Sequence, residues 1–436
     1  MKKYFFIGLL VQLIAISYVA PVLLCKEPFN NKPYTVNKSC VEKLKLTLEE
    51  CLNIAYEQNP QFLSYFQNLK IYREKEKKAY RNMFPVLSLS WSASEYLNER
   101  DDSYNTTLSL KQPLSQGNNL FIRWEMSKMD SKNASFEFRR QFQSTTFNVK
   151  SAWFRLLEAN ELKIETQNAL KRLHKHVSNA QHFFKEGWIW RTDILQAELE
   201  LAQGKNNLIS AENDLALAMS RLNVLLHKNV DTRIEPLETL SWRPCLLSYD
   251  EAKKNVLSNR MDLLKAKLVV DKNLSSLDLA KTSYWPTLQV EITTSRRGDS
   301  LSIKGGQSDQ RISLSSNWSL WEWNKTKTDI TAAKAEIRRS RLLLSNLEDQ
   351  LMLEVQEAWL AVQEADQRLT ILKKTFAQSE ENFRVNKIRY QERLGTAKDV
   401  LDAQDLLTRT RKDYTMATAS YLISLARLNY AVGKDM

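Results

Sequence analysis

The side chains of this chain that could do chemistry are placed in ways that exclude most of it. Cys25, Cys40, Cys51 and Cys245 are not spaced as C-x-x-C and have no histidine near them, so a zinc site is not expected. His174, His176 and His182 share one predicted helix, but 174 and 176 face different sides, which argues against a metal centre. No nucleophile–base set appears, and no glycine-rich phosphate loop. Acid recurs at two matched places instead. Asp193 and Asp399 lie 206 residues apart, and each opens a predicted helix, where a carboxylate is favoured as a cap and by the helix dipole. Asp402 lies inside its helix and cannot cap it. The sequence therefore offers no set of groups for making or breaking bonds.

The spacing of the aspartates belongs to a duplication. At the same 206-residue interval Trp153 matches Trp359, Glu158 matches Glu364, and Arg221-Leu222-Asn223 matches Arg427-Leu428-Asn429. Nearer the start of each half the interval is 201, pairing Leu46 with Leu247 and Pro85 with Pro286. The difference places an insertion between Leu288 and Leu314, where Gly305-Gly306 marks a loop that tolerates added residues. The expected organisation is a signal peptide over 1–25, an N-terminal extension over 26–45, one repeat over 46–245 and a second over 246–436.

Composition fits long helices rather than a compact enzyme. The 436 residues include only 9 Gly and 9 Pro, 26% are charged, and the net charge is +12. Met-Lys-Lys followed by the apolar run Tyr4 to Leu24 reads as a secretion signal, and no other stretch reaches the roughly 18 apolar residues of a spanning helix. Cys25 follows Leu23-Leu24, where lipidation is conceivable. Disulfides are permitted outside the cytoplasm, with their pairing open. A basic exported chain without an aromatic-rich basic motif is not expected to bind nucleic acid.

Each half reads helix, two strands, long helix, turn, helix. Thr47-Leu48-Glu49-Glu50 opens the first helix as a capping box, and the helix is expected to run to about Met83, before Pro85. Its counterpart is expected from about Ser248 to Tyr284, before Pro286. The period then changes to two: Leu87, Leu89, Trp91 and Ala93 alternate with serines, and Leu288, Val290 and Ile292 alternate with Gln289, Glu291 and Thr293. Hairpins are expected over about 86–112 and about 287–320. Their length, alternation and terminal aromatics resemble outer-membrane strands, although the strands alone read equally as a half-buried hairpin on a soluble domain. Long helices follow, from about Asn119 to Lys185 and from about Asn324 to Gln391. The second carries a heptad seam from Ile330 to Phe376 with one stutter at Leu351 to Val355. Four strands cannot close a barrel, since the smallest membrane barrels use about eight, so strands in a bilayer require several chains to share one barrel. Three chains would supply about twelve strands.

This arrangement resembles the TolC-type outer-membrane factor family over about Leu46 to Gly433. Its marks are the entry Leu46-Thr-Leu-Glu-Glu-Cys-Leu-x-x-Ala55-x-x-x-Asn59-Pro60, the joints Phe84-Pro85 and Trp285-Pro286, and two turns. The turns are Lys185-Glu-Gly187-Trp-Ile-Trp-Arg-Thr192-Asp193 and Tyr390-Gln-Glu-Arg-Leu-Gly395-Thr396-Ala-Lys-Asp399-Val-Leu-Asp402. The resemblance implies a mainly α fold with transmembrane β-hairpins. Duplicated halves would give an α-helical barrel and a twelve-stranded outer-membrane β-barrel shared by a homotrimer. It further implies an exit duct for efflux or type I secretion, set in outer-membrane lipid with most of the chain in the periplasm. The duct would join a periplasmic adaptor protein and an inner-membrane transporter of ABC, RND or MFS type, with no cofactor. Carried over by position, Asp399 and Asp402 would form the pore constriction, and Tyr390, Thr192 and Asp193 the gate latch. Gly187, Trp188, Gly395 and Thr396 would meet the adaptor. Arg393 stands where the first turn has Gly187, a departure from matched turn geometry. The competing expectation is a non-membrane periplasmic coiled-coil protein such as an adaptor, which usually carries a single hairpin.

Overall fold

The computed structural model describes residues 43–94, 103–116, 118–245, 247–298, 307–392 and 394–434. The expected signal peptide, Cys25, Cys40, the Gly305-Gly306 insertion and Arg393 lie outside the described residues. In chain order the elements are β1 (Lys43–Leu46), α1 (Leu48–Gln58), α2 (Pro60–Arg81), β2 (Val86–Ser94), β3 (Ser103–Gln116), α3 (Asn119–Lys185) and α4 (Arg191–Leu225). There follow β4 (Arg233–Pro236), α5 (Tyr249–Asn259), α6 (Met261–Lys281), β5 (Thr287–Gly298), β6 (Gln307–Asn317), α7 (Lys325–Gln391) and α8 (Ala397–Val432).

The long helices α3 and α7 have 67 residues each, about 100 Å at ~1.5 Å per residue. Both begin after an asparagine in the left-handed region, Asn118 (φ 68°) and Asn324 (φ 63°). Asparagine reaches that conformation at lower cost than most residues, so one residue type sets the strand-to-helix corner in both halves. Along its length α3 packs against α2 and α4 on one side and against α6 and α8 on the other; α7 packs against α6 and α8. The helices thus form columns in the order α2/α4, α3, α6/α8, α7. The heptad seam supplies this packing, with Ile337, Leu351, Val355, Ala358, Val362 and Leu369 all buried.

Each opening helix was expected as one piece, and each is two. Asn59 is in extended conformation (ψ 117°) between α1 and α2, because the residue before a proline is pushed out of the helical region. Pro60, which lacks an N–H, then fits the first helical position. The second break has no proline. Arg260 (ψ 113°) separates α5 from α6, and tertiary bonds hold it. Its guanidinium pairs with Glu354 at 2.6 Å and Asp262 at 3.1 Å, and donates to the Ala431 carbonyl at 2.6 Å. Asn59 does the same work in the first half, donating to the Leu225 carbonyl at 2.8 Å. Leu225 and Ala431 are 206 residues apart, near the ends of the two closing helices. Each break residue therefore satisfies a carbonyl that its own closing helix leaves without an intrahelical partner.

The halves are fastened to one another by ion pairs. Lys265 pairs with Glu137, and Lys272 with Asp130 at 2.5 Å, two rungs one heptad apart between α6 and α3. Lower down, the buried Glu165 of α3 meets Arg172 at 2.8 Å and Arg411 of α8 at 3.1 Å. A short parallel sheet pairs β1 with β4, Leu44 opposite Ile234. It crosses the expected boundary between extension and first repeat. Behind it, residues 240–243 contact the helices: the Leu240 N–H donates to Glu161, Trp242 Nε1 to Asp366, and the Tyr421 hydroxyl to the Arg243 carbonyl.

The other sheet has the order β2-β3-β5-β6, antiparallel throughout. Its register aligns Leu87, Leu110, Ile292 and Ile312 as an apolar row across all four strands. The opposite face is polar: Ser88 and Ser109 share a 2.7 Å hydrogen bond, and Lys111 pairs with Glu291 at 3.3 Å. Neither β2 nor β6 has a partner on its outer side among the described residues.

The Arg260 joint makes a direct prediction. Its side chain is 3% exposed, whereas Glu354 is partly exposed. Arg260→Ala should cost about 2–4 kcal/mol, because a carboxylate and helix-end carbonyls lose their donor and the exposed partner is partly screened. Arg260→Lys should cost less, and heat or denaturant unfolding followed by circular dichroism checks both.

Candidate functional site

The two helical turns expected to matter lie at one end of the columns, where the rings of Phe183 and Tyr390 meet edge to face, 5.9 Å between centroids. Gly187 (φ 76°) ends α3 in the left-handed region, and open space surrounds the position of a Cβ. The Trp188 N–H returns to the Phe183 carbonyl at 2.9 Å and the Gly187 N–H to Phe184 at 2.9 Å, a Schellman closure. The second turn closes likewise, Leu394 N–H to Arg389 carbonyl at 2.7 Å. At Gly395 a Cβ would meet that of Arg389 at 3.4 Å, an ordinary contact, so space alone does not demand glycine there.

The aspartates take a different cap position from the expected one. Thr396 is the N-cap of α8, accepting from the Asp399 N–H at 3.2 Å, while Asp399 Oδ2 accepts from the Thr396 N–H and hydroxyl, both at 2.8 Å. This reciprocal box holds the Asp399 carboxyl below the usual range, through the Thr396 backbone and hydroxyl donors first. Asp193 likewise accepts from the Trp190 N–H at 3.1 Å, but Trp190 has no side-chain acceptor to complete the box. Both carboxylates are committed to their own backbone. Thr192 is exposed, and Tyr390 is half-buried. Burial and the nearby Asp193 charge push the Tyr390 hydroxyl up, so the structure brings Tyr390, Phe183 and Asp193 together. Trp188 and Trp190 are exposed, the latter at 81%.

Asp402 is exposed and stands in company that sequence reasoning missed. Asp405 is one turn further along α8, and Glu200 reaches the same place from α4. Burial, then the charges of Asp405 and Asp402, raises the Glu200 carboxyl; burial, then Asp402, raises that of Asp405. The i, i+3 pair Asp402–Asp405 was a readable signal. The part played by Glu200 was not, since it comes from the other half. Among the described residues, no cluster of His, Cys, Asp or Glu is arranged to hold a metal ion.

Aromatic residues mark the opposite end of the helices, at the joints with the strands. Phe84, Phe121, Tyr284, Trp285, Trp318 and Trp321 are all exposed. Trp323 is 85% exposed and held at φ 49°, an unusual conformation for a bulky residue. No helix among the described residues is long and apolar enough to cross a membrane, a statement that does not bear on strands. Amphipathic ribbons flanked by aromatics, set on paired long helices, define an outer-membrane channel fold.

Comparison with known proteins gives the same class. The sequence model of the outer membrane efflux protein family matches residues 51–226 and 253–434, and the chain belongs to that family. It is similar to the outer membrane protein TolC of Escherichia coli, 21% identical over 383 residues that span 83% of this chain and 76% of the relative. The outer membrane protein VceC of Vibrio cholerae shares the fold at a TM-score of 0.76 and 17% identity, over 88% of this chain and 96% of that one. The Neisseria gonorrhoeae MtrE outer membrane channel, solved in an open state, matches at 0.75 and 19%, over 88% of each chain.

The acidic group at the turn end should respond to pH. Glu200 is raised above its ordinary 4.5 and Asp405 above 3.8, so the folded chain holds these protons more tightly than the unfolded chain. Stability at this end should therefore rise as pH falls through the carboxylate range and be lost again as pH climbs past the folded pKa values. Glu200→Gln should flatten that dependence, read as amide exchange of 196–206 and 400–410 across the range. An unchanged pH profile would count against the coupling.

Proposed function

We propose that the chain is one subunit of a homotrimeric outer-membrane channel, the passive exit duct of a tripartite efflux pump or type I secretion system. The reading rests on the sheet β2-β3-β5-β6, whose apolar row crosses all four strands while its two outer edges stay unpaired. In hydrocarbon each unpaired backbone group costs several kcal/mol, so such a sheet must find neighbours in sister copies. The helices have the same need. On α7 a second apolar stripe, Leu342, Leu353, Leu360 and Ile371, is exposed on the outermost column. At the other edge α4 exposes Leu195, Leu199, Ile209 and Val224. A ring of three chains would bring the two edges together and close about twelve strands.

In this reading no substrate is converted, and the aromatic joints sit at the inner lipid interface. The turns point into the periplasm toward an adaptor protein and an inner-membrane transporter of ABC, RND or MFS type. Gly187, Trp188, Gly395 and Thr396 offer the adaptor contacts, with exposed Trp188 the strongest anchor. Tyr390, Thr192 and Asp193 form the latch, where the Phe183–Tyr390 ring contact supports the assignment better than a polar bond does. Asp399 and Asp402 form the constriction. Asp399 is tied into its cap, which leaves Asp402 as the carboxylate free to face a solute.

Two outcomes test this. Leu89→Arg, on the lipid face, should destabilise the inserted trimer by about 2–4 kcal/mol and deplete it from the outer-membrane fraction. Ser90→Arg, on the other face, should leave a heat-labile trimer there, and a soluble monomer from the unaltered chain would falsify the channel. In planar bilayers Asp402→Ala should lower cation preference, since a ring of carboxylates favours cations; unchanged selectivity would remove Asp402 from the constriction.

A further inference from the structure

At mid-height one face of the columns carries an unpaired basic group. Arg155 of α3 lines three adjoining open grooves. Arg221 of α4, Lys412 of α8 and Arg368 of α7 share those grooves with it. None of these four cations makes an ion pair or side-chain hydrogen bond among the described residues. Elsewhere among the described residues Arg140, Arg260 and Arg411 each reach a carboxylate on another helix. Two acids, Glu158 and Asp214, lie in the same grooves. Burial pushes the Glu158 carboxyl up, against the neighbouring Arg155 charge that draws it down, so Glu158 is a partial counter-charge only. Between the cations the grooves are lined by apolar side chains, Leu162, Leu217, Met416 and Ile423, interleaved with polar ones, Thr166, Asn207, Ser210 and Ser420.

The face is defined by what lies on its far side. Residues 240–243 bind Glu161, Asp366 and Tyr421. At about 100° per residue, Glu161 lies about 120° around α3 from Arg155, Asp366 about 160° around α7 from Arg368, and Tyr421 about 180° around α8 from Lys412. When a layer of helices is closed into a tube, the side carrying extra chain belongs outside, where the circumference is larger. The bare, basic face is then the lumen wall.

The geometry points to a mid-lumen station for amphiphilic organic anions. Their sulfonate, phosphate or carboxylate groups would be held by Arg155, Arg221, Arg368 and Lys412, with their apolar bodies against the apolar side chains interleaved between those cations. Arginines set in a confined wall attract anions over several ångströms, and three copies would ring the passage. The station also divides the duct by charge, basic at mid-height and acidic at the turns. This inference rests on the channel reading, from which the lumen assignment follows.

The test uses the full-length chain, purified and reconstituted in planar bilayers, with naphthalene disulfonate added on the hairpin-loop side. The unaltered channel should show concentration-dependent block. In the double variant Arg155→Gln with Arg221→Gln the half-blocking concentration should rise about tenfold, and in Asp214→Asn it should fall. All three side chains are accessible, and trimer on a gel verifies assembly. Conductance steps with no block, or with block equal in all three proteins, overturn the station and leave the channel standing. Absence of any conductance steps overturns the channel reading and the station with it.

Discussion

The need to satisfy backbone groups at a sheet edge governs this structure. The four strands pair among themselves with an unbroken apolar row on one face, so that face seeks hydrocarbon. The two outer strands then carry N–H and C=O groups that lipid cannot solvate. A small soluble sheet would blunt such edges with charge or cover them with a helix. Here β2 presents serines and leucines along its unpaired edge, and the helices α4 and α7 expose apolar stripes of their own. Strand and helix layers are incomplete together, and the ring of chains proposed above would complete both.

Below the strands, chain duplication has kept geometry and replaced chemistry. At the first break an amide, Asn59, reaches a helix-end carbonyl; at the second a guanidinium, Arg260, does so and recruits Glu354 and Asp262. The difference has a local cause. Pro60 fixes the first break through the backbone alone, whereas the second lacks a proline and depends on side-chain bonds to stay open. The same contrast holds at the turns, where Thr396 completes a capping box that Trp190 leaves half made.

Much of this was legible in the residues. The duplication, the alternation after Pro85 and Pro286 and the heptad seam of α7 all act within a short window, and they place the hairpins and long helices well. The breaks at Asn59 and Arg260 were not anticipated, because a helix-permissive Pro60 and an ordinary arginine do not show that a distant carbonyl awaits them. The pairing of β1 with β4 joins segments 190 residues apart, as with Lys43 and Arg233. Asp399 was read as a cap by residue type, yet its place at the third helical position depends on Thr396. Glu200 and the Arg155 group depend on contacts between halves, to which a single helical period is blind. The exposed second stripe of α7 needed the seam to be seated first, since only then do Leu353 and Ile371 face outward.

The two joints also differ in when they can close. The first is complete once Leu225 has emerged during synthesis or export, so α1 to α4 can settle early around their own core. The second requires the carbonyl of Ala431, together with Gly433, whose left-handed turn leaves a Cβ only 3.0 Å from the Asn259 carbonyl. Until then Arg260 has no helix end to bind, and the second half stays unlatched while some two hundred more residues pass. Chain order thus lets the first joint form before the second, whose partners lie at the far end of the sequence.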